Sequence, residues 1–339
     1  MHEHLLIERE SLGDLPAQRG VDPALYGEPL SLANLSTHRN ARALPTRENR
    51  YNTDDLTSVE DAIQEVLSFK RLGGDAIVDV TNIGLNRNPE ALRRISEATG
   101  LKIVMGAGCY RPDFIRSLDM EKITEQELAE RIVGDIAVGV QESGVRSGII
   151  GEVAVDGNPL KPLELKSLRA AGRASRRTGA AVTLHNGGTR EEKFTVIEML
   201  EGLGVEPARV VMGHSNNLAE DIPFVERLLA RGVYVQFDLL GMSIGARLRP
   251  LGSVDDARVA RAVVELVRAG HGDRILLSQD VCTKLQLRRY GGRGFSYVSE
   301  FFLPELRRLG LSREQVRRIV VENPRRVLTF VSPRAELSR

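Results

Sequence analysis

The chain has little cysteine, no excess of one charge and no long apolar run. Its two cysteines, Cys109 and Cys282, are too few for a disulfide framework, and neither belongs to a CxxC pair. The 47 basic and 46 acidic side chains nearly cancel, so charge does not favour nucleic-acid binding. No segment approaches the roughly 20 apolar residues that span a bilayer, and the first residues do not resemble a signal peptide. We therefore expect a cytoplasmic protein that binds neither membranes nor nucleic acids.

Seven short, mostly apolar runs alternate with amphipathic segments along the chain. They cover 75–81, 101–107, 148–153, 180–185, 209–214, 232–238 and 274–280. Runs that are apolar throughout are typical of parallel strands covered on both faces. No linker or abrupt change in composition divides the sequence, and we interpret the polar stretch 8–55 as a loop excursion. The pattern predicts a single domain, 1–339.

Two α/β architectures accommodate this alternation. One is a (β/α)8 TIM barrel that lacks one strand, and the other is an open, doubly wound sheet with a glycine-rich nucleotide loop. Neither GxGxxG nor GxxxxGK[ST] follows the early runs, so the sequence favours the barrel.

Metal-binding side chains stand at the carboxyl ends of several of these runs, which form the catalytic face of a barrel. They are Glu152, His185, His214 and Asp280. His2 and His4 are two residues apart, so an extended segment projects both imidazoles from one face toward one ion. Imidazole and carboxylate without thiolate are typical of a catalytic site for zinc, manganese, cobalt or iron, and zinc is our default expectation.

Six such side chains exceed the three protein ligands of a catalytic zinc, which indicates two divalent ions. Glu152 has two oxygens and can bridge them. Two divalent cations, less the charges of Glu152, Asp280 and a bridging hydroxide, leave about one positive charge to stabilise an oxyanion, so we expect hydrolysis. Asp280 can bind one ion and accept the proton of the attacking water, although a role as a plain ligand is the alternative.

In combination these residues resemble the phosphotriesterase-like family of the amidohydrolase superfamily. The matching stretches are MHEHLL, GIIGEVAVDG, VTLHNGG, VVMGHSNN, VYVQFD, ILLSQD and ENPRRVL, which cover nearly the whole chain. The resemblance implies that His2, His4 and Asp280 bind the more buried ion, and that His185 and His214 bind the more exposed one. The best-known members bridge their ions with a carboxylated lysine, whereas this chain, like another branch, has Glu152 there.

A second departure from the family concerns the start of the chain. In the family pattern a β-strand leads into the HxH pair, whereas only Met1 precedes His2 here. The resemblance therefore implies a barrel with a truncated first strand. Such a barrel would leave two strand edges unpaired and His2 and His4 poorly anchored, so we expect the natural chain to carry residues before Met1.

The resemblance implies a small-molecule substrate and a homodimer. Family members hydrolyse lactones, carboxylic esters, amides and organophosphate triesters, and by analogy we favour a lactone or related ester, with phosphotriester cleavage as a side activity. A non-catalytic ligand-binding barrel, an amide hydrolase, and a decarboxylase or isomerase remain alternatives.

Substrate contacts are expected from loops at the catalytic face. In the family the loop after the last strand, here 281–295, shapes the pocket, and a solvated basic loop is the alternative interpretation. The expected contacts are Lys284, Arg288 and Arg289 for anionic groups, Tyr290 and Phe295 for apolar ones, and Asn82, Arg87 and Tyr110, with Tyr110 first among these three.

Overall fold

The computed structural model describes residues 1–8, 28–29, 51–52, 55–185, 188–242 and 254–333. All seven predicted strands are present and form one parallel sheet in which neighbours in sequence are neighbours in space. Two short strands, β1 (Glu28–Pro29) and β2 (Tyr51–Asn52), pair apart from this sheet. The main sheet consists of β3 (Ala76–Asp79), β4 (Lys102–Ala107), β5 (Ile149–Ala154), β6 (Val182–His185), β7 (Val210–Met212), β8 (Tyr234–Phe237) and β9 (Ile275–Leu277). The polar stretch 8–55 lies almost entirely outside the described residues.

Helices follow the strands and cover the outside of the sheet. They are α1 (Val59–Arg71), α2 (Pro89–Thr99), α3 (Glu125–Ala137), α4 (Pro162–Thr178), α5 (Glu192–Gly202), α6 (Ile222–Ala230), α7 (Asp256–Arg268), α8 (Leu303–Arg308), α9 (Arg313–Arg317) and α10 (Asn323–Leu328). Two π-helical turns, Val298–Phe302 and Arg318–Glu322, run directly into α8 and α10. None of the helices in the described part of the chain combines the length and apolar composition that crossing a bilayer requires.

Local sequence determines where these helices begin and end, as α2 illustrates. The side chain of Asn88 accepts a hydrogen bond from the backbone N–H of Ala91, and Pro89 occupies the first turn, where its missing N–H costs nothing. Gly100 ends the helix with φ +65, a left-handed conformation that a glycine adopts without a steric penalty. Ile95 and Leu92 then face the core.

Residues 2–4 close the sheet between its first and last strands. Glu3 forms a parallel bridge with Asp79, its N–H donates to the carbonyl of Val78, and its carbonyl accepts from the N–H of Val80. On the other side, the N–H of Asp280 donates to the carbonyl of His2, and the N–H of His4 donates to the carbonyl of Val281. The fold is therefore a (β/α)8 barrel whose first strand is truncated to these few residues.

The expectation that a truncated barrel leaves His2 and His4 poorly anchored is wrong. The short segment lies at the carboxyl-terminal end of the barrel, where it forms backbone hydrogen bonds to both flanking chain segments. Leu5 and Ile7 continue from it into a second buried cluster that includes Leu56 and Val66. The pairing and the packing together hold both imidazoles in place.

The opposite end of the barrel is closed by the C-terminal helix. Val327 of α10 packs into an interior cluster with side chains from several strands, among them Val78, Val211, Tyr234 and Leu276. Arg209, which precedes β7 and is 5% exposed, donates from Nη1 to the carbonyl of Thr329 and from Nη2 to the carbonyl of Arg326. The guanidinium thus fastens the end of α10 to the base of the barrel.

We predict that Arg209→Met lowers the free energy of unfolding by about 2–4 kcal/mol, because two charge-assisted hydrogen bonds are lost and two carbonyls lose their donors. Denaturant unfolding measures the change. Lys102→Met is the control, because Lys102 forms an exposed ion pair with Asp75 and its removal should have little effect. Equal losses in the two variants would contradict this role for Arg209.

Candidate active site

Six side chains from five places in the chain converge at the carboxyl-terminal end of the barrel. His2 and His4 come from the closing segment, Glu152 lies within β5, and His185 is the last residue of β6. His214 follows β7 and Asp280 follows β9. The structure thus brings together the whole set of metal-binding residues predicted from the sequence.

Glu152 lies at the centre of this cluster. Its Oε2 atom is 3.1 Å from His2 Nε2, 2.7 Å from His185 Nδ1 and 3.6 Å from His214 Nε2. Its Oε1 atom is 3.3 Å from His4 Nε2. One carboxylate therefore faces all four imidazoles, and its two oxygens are directed to different members of the set.

The residues present fit a pair of cations. Two groups of three side chains each bring their ligand atoms within 4.8 Å of one another. One group is His2, His4 and Asp280, and the other is His2, Glu152 and His214. Both ring nitrogens of His2 and the Oδ1 atom of Asp280 are buried, and among the described residues they have neighbours at 3.1–3.4 Å but no hydrogen bond of good geometry. Buried polar atoms are seldom left unpaired, so these atoms are candidates for coordination.

The charges around the cluster favour positive charge within it. Burial alone would lower the pKa of His4, but hydrogen bonds and charge from Asp280 and Glu152 raise that pKa to about 10. Burial likewise opposes protonation of His214, yet the charge of Asp238 raises its pKa well above the ordinary value. Burial would raise the pKa of Glu152, but its interactions with His185 and His2 hold that pKa well below its usual range. The site stabilises cations, whether protons or metal ions.

Comparison with known proteins agrees with this geometry. The family model described as the phosphotriesterase family matches residues 1–328. The chain belongs to the phosphotriesterase family.

Several relatives cover almost its full length. An N-acetyltaurine hydrolase of Dictyostelium discoideum is 30% identical over 98% of this chain and 93% of its own length. A phosphotriesterase-related protein of Nematostella vectensis is 31% identical over 97% and 93%. A resiniferatoxin-binding protein from Rhodobacter sphaeroides superposes with a TM-score of 0.82 at 34% identity, covering 97% of this chain and 89% of that one. A lactonase from Listeria monocytogenes, at 23% identity and TM-score 0.75 over 98% and 94%, shares the fold.

In this phosphotriesterase-family protein, two histidines of the cluster are oriented by hydrogen bonds from neighbouring residues. These bonds determine which ring nitrogen faces the cluster. The hydroxyl of Thr81 donates to the carbonyl of Leu6, so it accepts from His4 Nδ1 at 2.9 Å. His214 Nδ1 lies 3.0 Å from Asp238 Oδ1, which only accepts. In both rings Nδ1 is therefore the donor that faces outward, and Nε2 is the nitrogen that faces the cluster and can ligate a metal ion once its proton has left. Neither Thr81 nor Asp238 was among the residues predicted for the site, although each is the last residue of a predicted strand.

Glu3 is a further residue of the site that was not predicted from the sequence. Its carboxylate is buried and accepts hydrogen bonds from the Ser278 hydroxyl at 2.5 Å, from the backbone and side chain of Gln279 at 2.9 and 2.8 Å, and from the N–H of Val281 at 2.9 Å. These groups flank Asp280 on both sides. Glu3 thereby joins the His2 and His4 segment to the segment that carries Asp280. The available signal was an acidic residue placed between two candidate ligands.

Backbone conformation is unusual at two members of the cluster. His214 and Asp280 each have φ +49, which is uncommon for residues other than glycine. Gly213, just before His214, could not be replaced without a clash, because a Cβ there would lie 2.3 Å from the carbonyl oxygen of Leu184. Such strained positions cluster at functional sites in proteins generally.

The structure places two of the predicted pocket residues beside the cluster. The Tyr110 ring is buried and meets the His185 ring edge-on, with centroids 4.9 Å apart. Asn82 donates from Nδ2 to the carbonyl of Glu152 at 2.8 Å. Arg87 instead pairs with Asp135 at 2.8 Å, between the strands and α3. For Tyr110, the assignment as a substrate contact remains a prediction.

The substrate contacts predicted in the loop after β9 do not face the histidine cluster. Arg288 donates to Glu300 and Ser296, and Arg289 pairs with Asp61, so neither guanidinium is directed at the histidines. Lys284, Tyr290 and Phe295 line a cavity of about 110 Å³ behind Leu5, next to the start of α1. For all five residues, a role in substrate binding remains a prediction.

We predict that Thr81→Val weakens zinc binding by about 10- to 100-fold, because the His4 Nδ1 proton loses its acceptor. Competition with a chromogenic chelator measures the affinity. Thr183→Val is a matched control: the Thr183 hydroxyl is buried on β6 and has no hydrogen-bond partner among the described residues. Unchanged zinc affinity in Thr81→Val, or an equal loss in Thr183→Val, would contradict the role of Thr81.

Proposed function

We propose that this chain is a two-metal hydrolase that cleaves a carboxylic acyl bond. The observation that carries the proposal is the position of Glu152, whose carboxylate faces all four histidines and offers a different oxygen to His4 than to the other three. A carboxylate in this position can serve two ions. Membership of the phosphotriesterase family supports hydrolysis as the reaction class.

The proposed ligands divide into two sets that share Glu152. His2, His4 and Asp280 would hold one ion, and His185 and His214 would hold the other. When bound, the two divalent ions supply a Lewis acid and lower the pKa of water toward neutrality. Nitrogen and carboxylate donors without thiolate suit zinc, manganese, cobalt or iron, and zinc is the ion we propose.

Asp280 would accept the proton of the attacking water. Burial opposes its ionisation, but the hydrogen bond with His4 and the positive charges of the histidines hold its pKa below the ordinary value. Its Oδ1 atom lies 3.4 Å from His4 Nε2 and faces the cluster. The ionised carboxylate can therefore receive a proton and later deliver it to the leaving group.

The substrate class is proposed from the relatives. Curated relatives named for N-acetyltaurine hydrolysis cleave an amide, which supports an amide as one candidate bond. The ester or lactone favoured from the sequence is the other candidate, and phosphotriester cleavage remains a side activity to be assayed. The Rhodobacter protein named for binding resiniferatoxin supports a second function, a ligand-binding barrel without turnover.

Hydrolysis can be tested on zinc-loaded protein with a lactone, an aryl ester, an N-acyl amide and a phosphotriester in ¹⁸O-labelled water. The proposal predicts that the carboxylic acid product contains one labelled oxygen from solvent. Absence of turnover on the whole panel, with two metal ions bound, would overturn the proposal and favour the ligand-binding function.

We predict that Asp280→Asn lowers kcat by about 10²- to 10⁴-fold while much of the metal is retained, because asparagine can still ligate but cannot accept the proton. Steady-state kinetics and elemental analysis of the same sample separate the two effects. Asp113→Asn, an exposed aspartate paired with Lys161, is the control. Full turnover in Asp280→Asn would refute the assignment.

A further inference from the structure

An arginine lies against the outer side of His185. Arg111 follows β4 at the catalytic end of the barrel, and its side chain is 40% exposed. Its Nε atom donates to Asp156 Oδ2 at 2.6 Å, and its Nη2 atom lies 3.0 Å from His185 Nε2. Neither Arg111 nor Asp156 belongs to the ligand set described above.

These contacts assign the ring proton of His185. A guanidinium only donates hydrogen bonds, so His185 Nε2 must be the acceptor in its contact with Arg111. The single proton of the neutral ring is then on Nδ1, where it is donated to Glu152 Oε2 at 2.7 Å. In this arrangement Nδ1, the nitrogen that faces the cluster, is protonated.

Coordination through Nδ1 requires the opposite arrangement. A ligating Nδ1 carries no proton, so the ring proton moves to Nε2, which can no longer accept from Arg111. The Oδ1 atom of Asp156 is placed to receive that proton: it lies 3.7 Å from Nε2, is buried and has no hydrogen-bond partner among the described residues. A carboxylate behind a ligating histidine is a common arrangement in metal sites.

This exchange leaves the Nη groups of Arg111, at the exposed edge of the site, without a hydrogen-bond acceptor among the residues that the structure describes. The Nε contact with Asp156 Oδ2 can persist and hold the guanidinium close to the cluster. Lys193, 2% exposed on the first turn of α5, contributes a second positive charge near Asp156. Glu192 offsets the charge of Lys193, so the half-exposed guanidinium of Arg111 is the cation at this edge that can meet an anionic ligand.

We propose that Arg111 binds an anionic group of the substrate, a carboxylate or a sulfonate, and that metal occupancy at His185 releases its guanidinium for this contact. The inference rests on the proposed function, because it takes His185 as a metal ligand through Nδ1. It narrows the substrate to small, negatively charged acyl compounds. Arginine suits such a group because a guanidinium can donate two parallel hydrogen bonds, one to each of two oxygens of the carboxylate or sulfonate.

Calorimetric binding to the Asp280→Asn protein, in which turnover is expected to be slow, tests the proposal. The probes are N-acetyl-β-alanine with a carboxylate, N-acetyltaurine with a sulfonate, and the neutral N-propylacetamide. With zinc bound, we expect at least one anionic probe to bind about 10- to 100-fold more tightly than the neutral one. Adding Arg111→Gln should abolish this preference, and Arg111→Lys should retain part of it. Metal-free protein should show no preference.

Arg190→Gln is the control, because Arg190 is a surface arginine paired with Asp221 and should leave the preference intact. A preference that survives Arg111→Gln would show that the anion is held elsewhere, for example by the metal, and would overturn the proposal. An equal preference with and without zinc would overturn the release of Arg111.

Parallel assays with Asp280 intact separate this inference from the proposed function. Hydrolysis of neutral and anionic probes at equal kcat/KM would overturn the role of Arg111 and leave the hydrolase assignment standing. Arg111-dependent binding, with no hydrolysis of these amides or of the lactone, aryl ester and phosphotriester panel, would support the anion site and contradict the hydrolase assignment.

Discussion

The site depends on a single buried carboxylate that is not itself a candidate ligand. Glu3 accepts four hydrogen bonds from Ser278, Gln279 and Val281, and its own backbone pairs with β3. Because the first barrel strand is reduced to a few residues, these bonds replace the ladder that a full strand would provide. They fix His2 and His4 relative to Asp280, and an active site requires such fixed geometry before it can bind ions in a defined arrangement.

The other candidate ligands lie next to the segment that Glu3 holds in place. Once the closing segment is in place, His2 and His4 face Glu152 of β5, and Glu152 in turn faces His185 and His214 from the next two strands. Thr81 and Asp238 set the orientation of the rings from outside. Burial opposes positive charge on the imidazoles, but the carboxylates around them supply negative charge, so the cluster is suited to cations. Strain at His214 and Asp280 is tolerated because the surrounding barrel is well packed.

Much of this could be predicted from sequence, because the strands are apolar runs and the ligands stand at their carboxyl ends. His185 closes a predicted strand, and its position at the catalytic face follows from the parallel order alone. Glu3, Asp238 and the pairing of Arg111 with Asp156 could not be predicted, because each depends on contacts between segments far apart in the chain. The direction of the Arg288 side chain could not be predicted either, because an arginine in a loop pairs with whichever carboxylate the fold brings near. Here that carboxylate is Glu300. The anchoring of the HxH pair could not be predicted either, because the backbone and carboxylate hydrogen bonds that hold the short first strand join segments far apart in the chain.

The most direct test of the central claim is an anomalous diffraction map, recorded at the zinc edge from crystals of the zinc-loaded protein. The account predicts two peaks per chain, one beside His2, His4 and Asp280 and one beside His185 and His214, with Glu152 in contact with both. A single peak, or two peaks that do not share Glu152, would contradict the two-metal site on which the proposed function rests.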